Sequence, residues 1–341
     1  MRALKLASHA DTFAVFCLLF FLSFSVVAQV ELYILKPNKN QFSYVIPVRS
    51  GRSIHSELLE YKKLILANPE LADIFTAAQL DKISLGQTYL LKSSNEARIL
   101  LLANRGYDYE GPASQNAQNR IRRVSEKFSA SVNTYVLPVA ASIYLNAAEQ
   151  KEFVKKISDY FSGVVALGGA DVDPHLYGEN ISESREVNAS RDRYEISFLK
   201  SWMGLKKGFT YGICRGHQIV SVALGFKLIQ HVDNHGDGYW VEHPIEIRNT
   251  TSNHFKNIFG SRVKVRGTHH QAVQSAPNTR VEVAALAPDG TIEALESADG
   301  LIITTQFHPE FMDNYISKKF FSYLRNKAQL KIPNKCAQLF N

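Results

Sequence analysis

The hydrophobic pattern divides the chain into three parts. An apolar run from Phe13 to Val27 stands alone near the start. Residues 29–95 then hold a strand-like segment, a segment with apolar residues at helical spacing, and a second strand-like segment. In residues 97–330, short apolar runs alternate with amphipathic segments. The pattern therefore predicts a leader, a small N-terminal α/β extension and one larger α/β domain.

The larger domain follows the rhythm of strand, helix, strand, helix. The runs RILLLAN and GFTYGI are short and apolar, while NAAEQKEFVKKISDYF places Phe153 and Phe161 on one helical face. Such alternation is typical of an α/β fold with an open, mostly parallel sheet and helices on both faces. We also predict a helix that ends at Gly204, a hairpin around Asp289–Gly290 and a closing C-terminal helix.

The first 28 residues have the layout of a secretory signal peptide. Arg2 and Lys5 give a basic start, an apolar stretch of about fifteen residues follows, and small residues near Ala28 resemble a cleavage site. The stretch is shorter than the ~20 residues that a spanning helix needs. We therefore predict export by this signal to the periplasm or the medium. An uncleaved N-terminal membrane anchor is the alternative.

Residues 29–95 allow two interpretations. A strand, two short helices around an Asn-Pro and a final strand resemble a LysM-type module, which would bring this segment into contact with the cell wall. The other interpretation is an extension packed on the main domain, because a resemblance at fold level is weak evidence of function. Residues 331–341 are predicted to form a C-terminal tail.

The composition is that of a globular protein without a nucleic-acid site. Hydrophobic residues make up 45% of the 341 residues and charged residues 21%, which is enough apolar material for a core. The formal net charge is +7, but the basic residues are scattered and not clustered with aromatic residues. We therefore expect no nucleic-acid partner.

Cys214 lies in the stretch GFTYGICRGHQIV, between Gly212 and Gly216, after an apolar strand and before a helix. Active sites of open parallel sheets collect at the carboxyl ends of strands. A Gly-x-nucleophile-x-Gly turn cramps the backbone of its central residue, and the next helix directs N–H groups at the thiolate. The turn predicts a nucleophilic Cys214. A buried inert cysteine and a disulfide with Cys336 are the alternatives.

Two further segments supply the rest of a cysteine hydrolase site. His308 and Glu310, in TTQFHPEF, follow a strand. Residues i and i+2 of an extended segment face the same side, so Glu310 is expected to orient His308 as the general base. Acyl transfer also needs donors for the developing oxyanion. The backbone N–H groups of Arg215 and of Gly169, in LGGADVDP, are the candidates, with a plain turn as the alternative interpretation of Gly168-Gly169.

Six segments, in order along the chain, carry a family resemblance: GGADVDPHLYGEN, RDRYEISFLK, GICRGHQ, THHQAV, DGTIEALE and QFHPE. Together they resemble a class I glutamine amidotransferase-like domain over residues 97–328. The subgroup resembled is the peptidase C26 family, most closely its γ-glutamyl-γ-aminobutyrate hydrolase branch. The resemblance implies a flavodoxin-like sheet and a catalytic triad of Cys214, His308 and Glu310.

The resemblance also implies further roles. The amides of Gly169 and Arg215 would form the oxyanion hole, and three side chains would bind substrate: Gln218, His269 and Gln271. The activity implied is the hydrolysis of γ-glutamyl amide bonds in small molecules through a thioester on the cysteine, with no metal or cofactor. Arg266-Gly267 stands where the family usually has Asn-Ser, which leaves the leaving amine open.

Two other functions compete with this hypothesis. One is a glutaminase subunit that feeds ammonia to a synthase, and the other is a non-catalytic cell-wall-binding protein that keeps the fold. Three histidines, His231, His235 and His243, raise the question of a metal. No carboxylate or thiol falls at ligand spacing from them, so we interpret them as surface or packing residues and predict no metal site. Trp240 and the Phe320-Phe321 pair are interpreted as core.

Overall fold

The computed structural model describes residues 29–36, 42–71, 80, 88–103, 115–274 and 280–330. The predicted signal peptide and the predicted C-terminal tail, which includes Cys336, lie outside these ranges. Among the residues described, no helix combines the length and the apolar character needed to cross a bilayer.

A sheet of 14 strands runs through the described residues. Its strands, in chain order, are β1 Val30–Leu35, β2 Tyr44–Arg49, β3 Thr88–Leu90, β4 Arg98–Ala103, β5 Asn133–Pro138, β6 Gly163–Ala166, β7 Phe209–Ile213, β8 Leu228–Ile229, β9 Val241–Ile247, β10 Arg262–Gly267, β11 Ala272–Val273, β12 Glu282–Leu286, β13 Ile292–Glu296 and β14 Ile302–Thr305. The centre has the order β5-β4-β6-β7-β14, and each neighbouring pair there is parallel. Renumbered within the centre, this is the flavodoxin-like order 2-1-3-4-5. The predicted fold class is confirmed.

Helices cover both faces of the sheet. They are α1 Ile54–Ala67, α2 Gln115–Phe128, α3 Ala140–Ile143, α4 Ala147–Tyr160, α5 Ala189–Leu205, α6 Arg215–Ala223, α7 His254–Phe259 and α8 Tyr315–Leu330. Ile99 and Leu101 of β4 belong to one buried hydrophobic cluster, while Leu100 and Leu102 belong to a second. Because alternate strand residues face opposite sides, each face of the sheet has its own core.

Side-chain caps begin several of the helices. Helix α4 begins with a capping box, in which the Asn146 side chain accepts from the backbone of Glu149 and the Glu149 side chain accepts from the backbone of Asn146. Helix α5 does not end at Gly204 as predicted. It continues to Leu205, and Lys206 takes the left-handed capping conformation with φ 52°. The left-handed residue that ends the helix is therefore a lysine, although glycine is the residue most often found at this position.

Antiparallel strands extend the parallel centre beyond β14. Strand β13 pairs with β14, β12 pairs with β13, and β9 and β10 follow. The predicted hairpin is confirmed, because β12 and β13 are antiparallel and Gly290 in their turn has φ 89°. The flank brings the loops around β9 and β10 toward the carboxyl end of β7.

Residues 29–95 extend the same sheet on its other side. Strand β2 pairs parallel with β5 through Tyr44 and Val136, and β1 and β3 continue outward with antiparallel pairing. The Arg49 guanidinium bonds the buried Glu57 of α1 at 3.0 Å and lies 4.9 Å from the ring centroid of Tyr144. The predicted boundary near residue 96 thus falls between strands of one sheet. The cell-wall contact stays a prediction.

Candidate active site

Cys214 occupies a strained turn between β7 and α6. Its φ is 53° and its ψ is −111°, a conformation that non-glycine residues rarely adopt. A Cβ atom on Gly216 would lie 1.9 Å from the Ala166 carbonyl oxygen, and one on Gly212 would lie 2.5 Å from the Gly216 carbonyl oxygen. Both glycines are therefore needed for the backbone to pass, as the sequence pattern predicted.

The thiol of Cys214 is free and faces a cleft at the carboxyl end of the parallel strands. The side chain is buried, and its Sγ atom lies 3.8 Å from the Thr268 carbonyl oxygen, to which it donates. The Cys214 amide donates to the Thr305 carbonyl oxygen at 2.8 Å, which fixes the turn to the neighbouring strand β14. A free, fixed thiol at this edge of the sheet is suited to nucleophilic attack.

His308 approaches the thiol from the end of β14. Its Nδ1 atom is 2.6 Å from Glu310 Oε1, so the predicted hydrogen bond is present. The predicted reason for it is wrong, because Glu310 lies in the 3-10 turn Pro309–Phe311 and not in an extended segment. A Cβ atom on Gly168 would lie 3.5 Å from His308 Cε1 and 3.8 Å from Cys214 Cβ. Both side chains therefore pack against the same glycine.

The charge state of His308 follows from its neighbours. Burial lowers the pKa of His308, but the Glu310 carboxylate and the neighbouring Cys214 side chain raise it more strongly, to about 10. The Nε2 atom is buried and faces the Cys214 sulfur, since Nδ1 is held by Glu310. At neutral pH the ring is thus an imidazolium whose outer N–H points to the thiol.

This shift predicts a pH dependence of stability. The pKa of His308 is about 10 in the folded chain, against an ordinary value of 6.5. Because the folded state holds the proton more tightly, the contribution of His308 is complete below pH 6.5 and is lost as the pH rises toward 10. We expect the difference in unfolding free energy between the native chain and His308→Gln, measured in urea, to shrink across this window. A difference that stays constant would contradict the assignment.

Of the two residues predicted to donate to the oxyanion, Gly169 lines the same cleft, and Arg215 directly follows Cys214 in the chain. Gly169 follows Gly168 in the turn after β6, and Arg215 is the first residue of α6, whose first amides have no partner within the helix. The Arg215 guanidinium points away into the core, where Nη2 lies 2.7 Å from Asp192 Oδ1 and Nη1 lies 2.7 Å from Glu195 Oε2.

The same carboxylate also ties down the glycine turn. Asp192 Oδ2 accepts a hydrogen bond of 2.9 Å from the backbone amide of Asp173, which belongs to the segment GGADVDP. Asp192 and Arg215 are buried, so this connection is shielded from water. The buried ion pair therefore links the two backbone segments that carry the candidate oxyanion donors.

The cleft has a volume of about 480 Å³ and carries both signs of charge. Arg120 and Arg185 contribute positive charge, and Glu186 and Asp237 contribute negative charge. Arg185 and Asp237 form a two-pronged ion pair, with both N···O distances at 2.9 Å. Glu186 is a second non-glycine residue with positive φ, at 53°, on this cleft. Sequence reasoning missed these four residues because they lie in connecting segments without a motif.

The prediction that Trp240 belongs to the core is wrong. It is 39% exposed, lines the cleft, and packs edge-on against His308 with ring centroids 5.1 Å apart. The Arg266 guanidinium lies 4.7 Å from the Trp240 ring centroid, in the range of a cation–π contact. Phe320 and Phe321 are fully buried, so their assignment to the core is confirmed.

The three predicted substrate-binding side chains occupy different positions. His269 lines the cleft. Gln218 and Gln271 are buried and are not among the residues that line the cleft, so their role in substrate binding stays a prediction. Gln218 Nε2 donates to the Gln271 carbonyl oxygen and to Gln306 Oε1 at 3.2 Å each, and Gln271 Nε2 donates to Ser184 Oγ at 2.7 Å. In this arrangement the two glutamines hold the loop that carries His269.

Two histidines interpreted as surface or packing residues instead contact a buried carboxylate. His243 Nε2 lies 3.1 Å from Glu293 Oε1, and His235 Nδ1 lies 3.5 Å from the same oxygen. Glu293 is 50 residues beyond His243, and the antiparallel flank brings the two together. The spacing of residues along the sequence therefore gives no sign of the contact between His243 and Glu293. The third histidine, His231, lies 3.4 Å from His270 through their Nδ1 atoms.

A comparison with protein families decides where this site belongs. The family model described as Peptidase C26 matches residues 110–310, which is more than half of the chain and includes Cys214, His308 and Glu310. The chain belongs to the peptidase C26 family. Membership supports a hydrolase or amidotransferase function for this peptidase C26 protein.

Curated relatives agree with this family. A Mycobacterium tuberculosis protein, provisionally named a glutamine amidotransferase, is 32% identical over 47% of this chain and 54% of its own length. A Schizosaccharomyces pombe protein with the same kind of provisional name is 31% identical over 49% of this chain and 70% of its own. The match thus spans about half of the first relative. Among solved structures, a glutamine amidotransferase from Thermotoga maritima aligns with TM-score 0.41 and 18% identity over 69% of this chain and 85% of its own.

Proposed function

We propose that this peptidase C26 protein hydrolyses γ-glutamyl amide bonds of small molecules through a γ-glutamyl thioester on Cys214. One observation carries the proposal. A free thiol stands in a strained turn beside His308, whose Nδ1 atom is fixed by Glu310 at 2.6 Å. Nucleophile, base and orienting carboxylate are the three parts that acyl transfer by a cysteine needs.

The proposed reaction has two halves. The Cys214 thiolate attacks the γ-carbonyl carbon, and the oxyanion that forms accepts hydrogen bonds from the amides of Gly169 and Arg215. His308, protonated at neutral pH because its pKa is raised to about 10, gives its Nε2 proton to the leaving amine. His308 then takes a proton from water, the hydroxyl adds to the thioester carbon, and the C–S bond breaks. Glutamate and the thiolate result, and the proton remains on His308.

The charges of the cleft support an amino-acid head as the group recognised. A γ-glutamyl substrate carries an α-carboxylate and an α-ammonium group some distance from the scissile carbonyl. Arg120 offers a cationic partner for the carboxylate, and Glu186 offers an anionic partner for the ammonium. The side chain of Trp240 adds an apolar wall beside His308 for the leaving amine. Export by residues 1–28 is part of the proposal and rests on the sequence pattern alone.

The test uses the full chain and a matched set of chromogenic anilides. We expect release of the aniline from the γ-glutamyl anilide. Mass spectrometry of acid-quenched and digested samples should find a glutamyl adduct on the peptide that contains Cys214. An anilide of 4-aminobutyrate, which lacks only the α-carboxylate, should react at least ~10-fold more slowly, since a charge-assisted hydrogen bond is lost. Release without any adduct on Cys214, or no release from any γ-glutamyl amide, would reject the proposal.

A glutaminase subunit is the second candidate, because both curated relatives carry provisional names as glutamine amidotransferases. The two functions differ in their need for a partner. A stand-alone hydrolase acts on γ-glutamyl amides in isolation. A glutaminase subunit would instead be nearly inactive on glutamine until a co-purifying synthase is added back.

A further inference from the structure

Three histidines and one glutamate meet next to the cleft, outside the proposed triad. His235 precedes β9, His243 lies in β9, His269 follows β10, and Glu293 lies in β13. All three imidazoles approach one oxygen, Glu293 Oε1: His243 Nε2 at 3.1 Å, His235 Nδ1 at 3.5 Å and His269 Nε2 at 3.6 Å. The imidazoles of His235 and His269 lie with ring centroids 4.7 Å apart. Glu293 is fully buried, and His235 and His269 are 4% and 5% exposed.

Each of these rings has an inner nitrogen, which faces Glu293, and an outer nitrogen, which faces away from it. In two of the rings, the hydrogen bond of the outer nitrogen fixes the tautomer. His235 Nε2 is 2.9 Å from Asp289 Oδ2, and a carboxylate only accepts, so Nε2 carries the hydrogen. His269 Nδ1 is 3.0 Å from the Gln271 carbonyl oxygen, so Nδ1 carries the hydrogen in that ring. In the neutral rings, the inner nitrogens therefore present lone pairs. Metal-bound histidines typically hold a carboxylate or a carbonyl with their outer N–H in this way.

Among the atoms that face one another here, His243 Nε2 lies within hydrogen-bond distance of Glu293 Oε1, but the inner nitrogens of the other two rings have no hydrogen-bond partner in the part of the chain that the structure describes. His235 Nδ1, His269 Nε2 and Glu293 Oε2 are buried and form no hydrogen bond within the described residues. Two lone pairs thus face a carboxylate oxygen, an arrangement that needs a cation between them. Protons would have to charge both buried rings, whereas a single divalent ion satisfies all the inner atoms at once.

The spacing fits such an ion. Zinc is held at ~2.0–2.1 Å by imidazole nitrogen and ~2.0–2.2 Å by carboxylate oxygen, which puts neighbouring tetrahedral ligands about 3.4 Å apart. The N···O separations of 3.1 Å for His243 and 3.5 Å for His235 lie around that value, and the ligand atoms of His235, His243 and Glu293 all lie within 4.8 Å of one another. The geometry points to a divalent transition-metal site, best suited to Zn²⁺, formed by His235, His243 and Glu293, with His269 beside it.

These three ligands come from the segment before β9, from β9 and from β13, so the ion would tie these elements together. His269 Nε2, 3.6 Å from Glu293 Oε1, brings the loop after β10 against the same site. That loop includes Thr268, whose carbonyl oxygen accepts from Cys214 Sγ and whose Oγ1 donates to the Gly236 carbonyl oxygen at 2.7 Å. The metal would therefore hold the wall of the cleft that faces the thiol, and it would take no part in bond breaking.

Metal content tests this directly and does not depend on hydrolysis. The full chain, prepared without a histidine tag or chelator and brought to one equivalent of Zn²⁺ over buffer, is passed through a desalting column and analysed by plasma mass spectrometry. We expect about one zinc per chain, an affinity tighter than about 1 μM, and a rise in Tm on metal binding. Co²⁺ in place of Zn²⁺ should give the intense visible bands of a tetrahedral nitrogen and oxygen site.

Matched variants locate the ion. His243→Gln changes the least buried ligand and is expected to lower bound zinc at least 10-fold and to abolish the cobalt bands, with the far-ultraviolet circular dichroism retained. His175→Gln makes the same change at an exposed histidine and should keep one zinc per chain. A native chain that binds neither Zn²⁺ nor Co²⁺ at 1 μM would overturn the proposal, and so would a His243→Gln chain that keeps its metal. A native chain that hydrolyses γ-glutamyl amides but binds neither Zn²⁺ nor Co²⁺ would reject the site and leave the proposed function intact.

Discussion

Replacing Cys214 with alanine is expected to abolish the release of glutamate from γ-glutamyl amides, with kcat reduced by at least ~10⁴-fold, as for other nucleophiles that act with a paired base. The reason is that the remaining machinery has no atom that forms the thioester. Steady-state rates with the γ-glutamyl anilide measure the loss, and the mass adduct on this residue should disappear with it.

The same variant separates chemistry from folding. Cys214 holds a positive φ of 53°, and alanine imposes similar backbone strain, so the variant should keep the fold and the Tm of the native chain within a few degrees. Cys214→Ser is not suitable as an inactive control, because the serine hydroxyl is still a potential nucleophile. Cys214→Gly is the better one, since glycine also relieves the strain. Turnover above a few per cent of the native rate in the alanine variant would refute the proposed nucleophile.

Replacing Arg215 with alanine is expected to cost ~3–5 kcal/mol of unfolding free energy, the range found when one partner of a buried ion pair is removed. Arg215 is 1% exposed and bonds Asp192 and Glu195 at 2.7 Å each. Asp192 keeps a second partner in Arg191 at 3.2 Å, so Glu195 is the carboxylate left without compensation. Urea unfolding followed by fluorescence measures the change.

Two controls sharpen this second prediction. Arg122→Ala removes an exposed pair with Glu126, whose N···O distance is 2.9 Å, and should change stability by at most about 0.5 kcal/mol. Adding Glu195→Gln to Arg215→Ala should recover part of the loss, because it removes the stranded charge. Equal effects of the two arginine variants, or no recovery by the glutamine, would show that the buried pair is not what stabilises this region.

The part of the fold that the sequence predicts is the part set by local periodicity. The short runs that become β4 and β7, and the helix after Cys214, follow from spacing and from the glycines at 212 and 216. The sequence places the end of helix α5 at Gly204, two positions before the capping residue Lys206, because a lysine in the left-handed conformation leaves no local signal. The continuity of residues 29–95 with the main sheet was missed as well, because pairing of β2 with β5 joins segments about ninety residues apart.

The residues of the candidate site also fall into two groups: those that local motifs predict and those that only the sheet topology brings together. Cys214, His308 and Glu310 lie in compact motifs, and the structure brings them together. Trp240 carries no motif, and it reaches the cleft only because of the way the antiparallel flank folds back. Glu293 looked like one residue of an ordinary hairpin, and its three histidine neighbours come from segments that are at least 24 positions away. Contacts of this kind are set by sheet topology and not by spacing along the chain.

The position of β4 in the sheet limits where a recombinant fragment of this protein can begin. The family match begins at residue 110, yet Arg98–Ala103 precedes it and lies between β5 and β6 in the middle of the parallel centre. The match also ends before Tyr315–Leu330, whose Phe320 is fully buried. A recombinant fragment cut at the family limits would thus lack a central strand and a core helix, and we expect it to be recovered as insoluble aggregate whatever the quality of its catalytic residues.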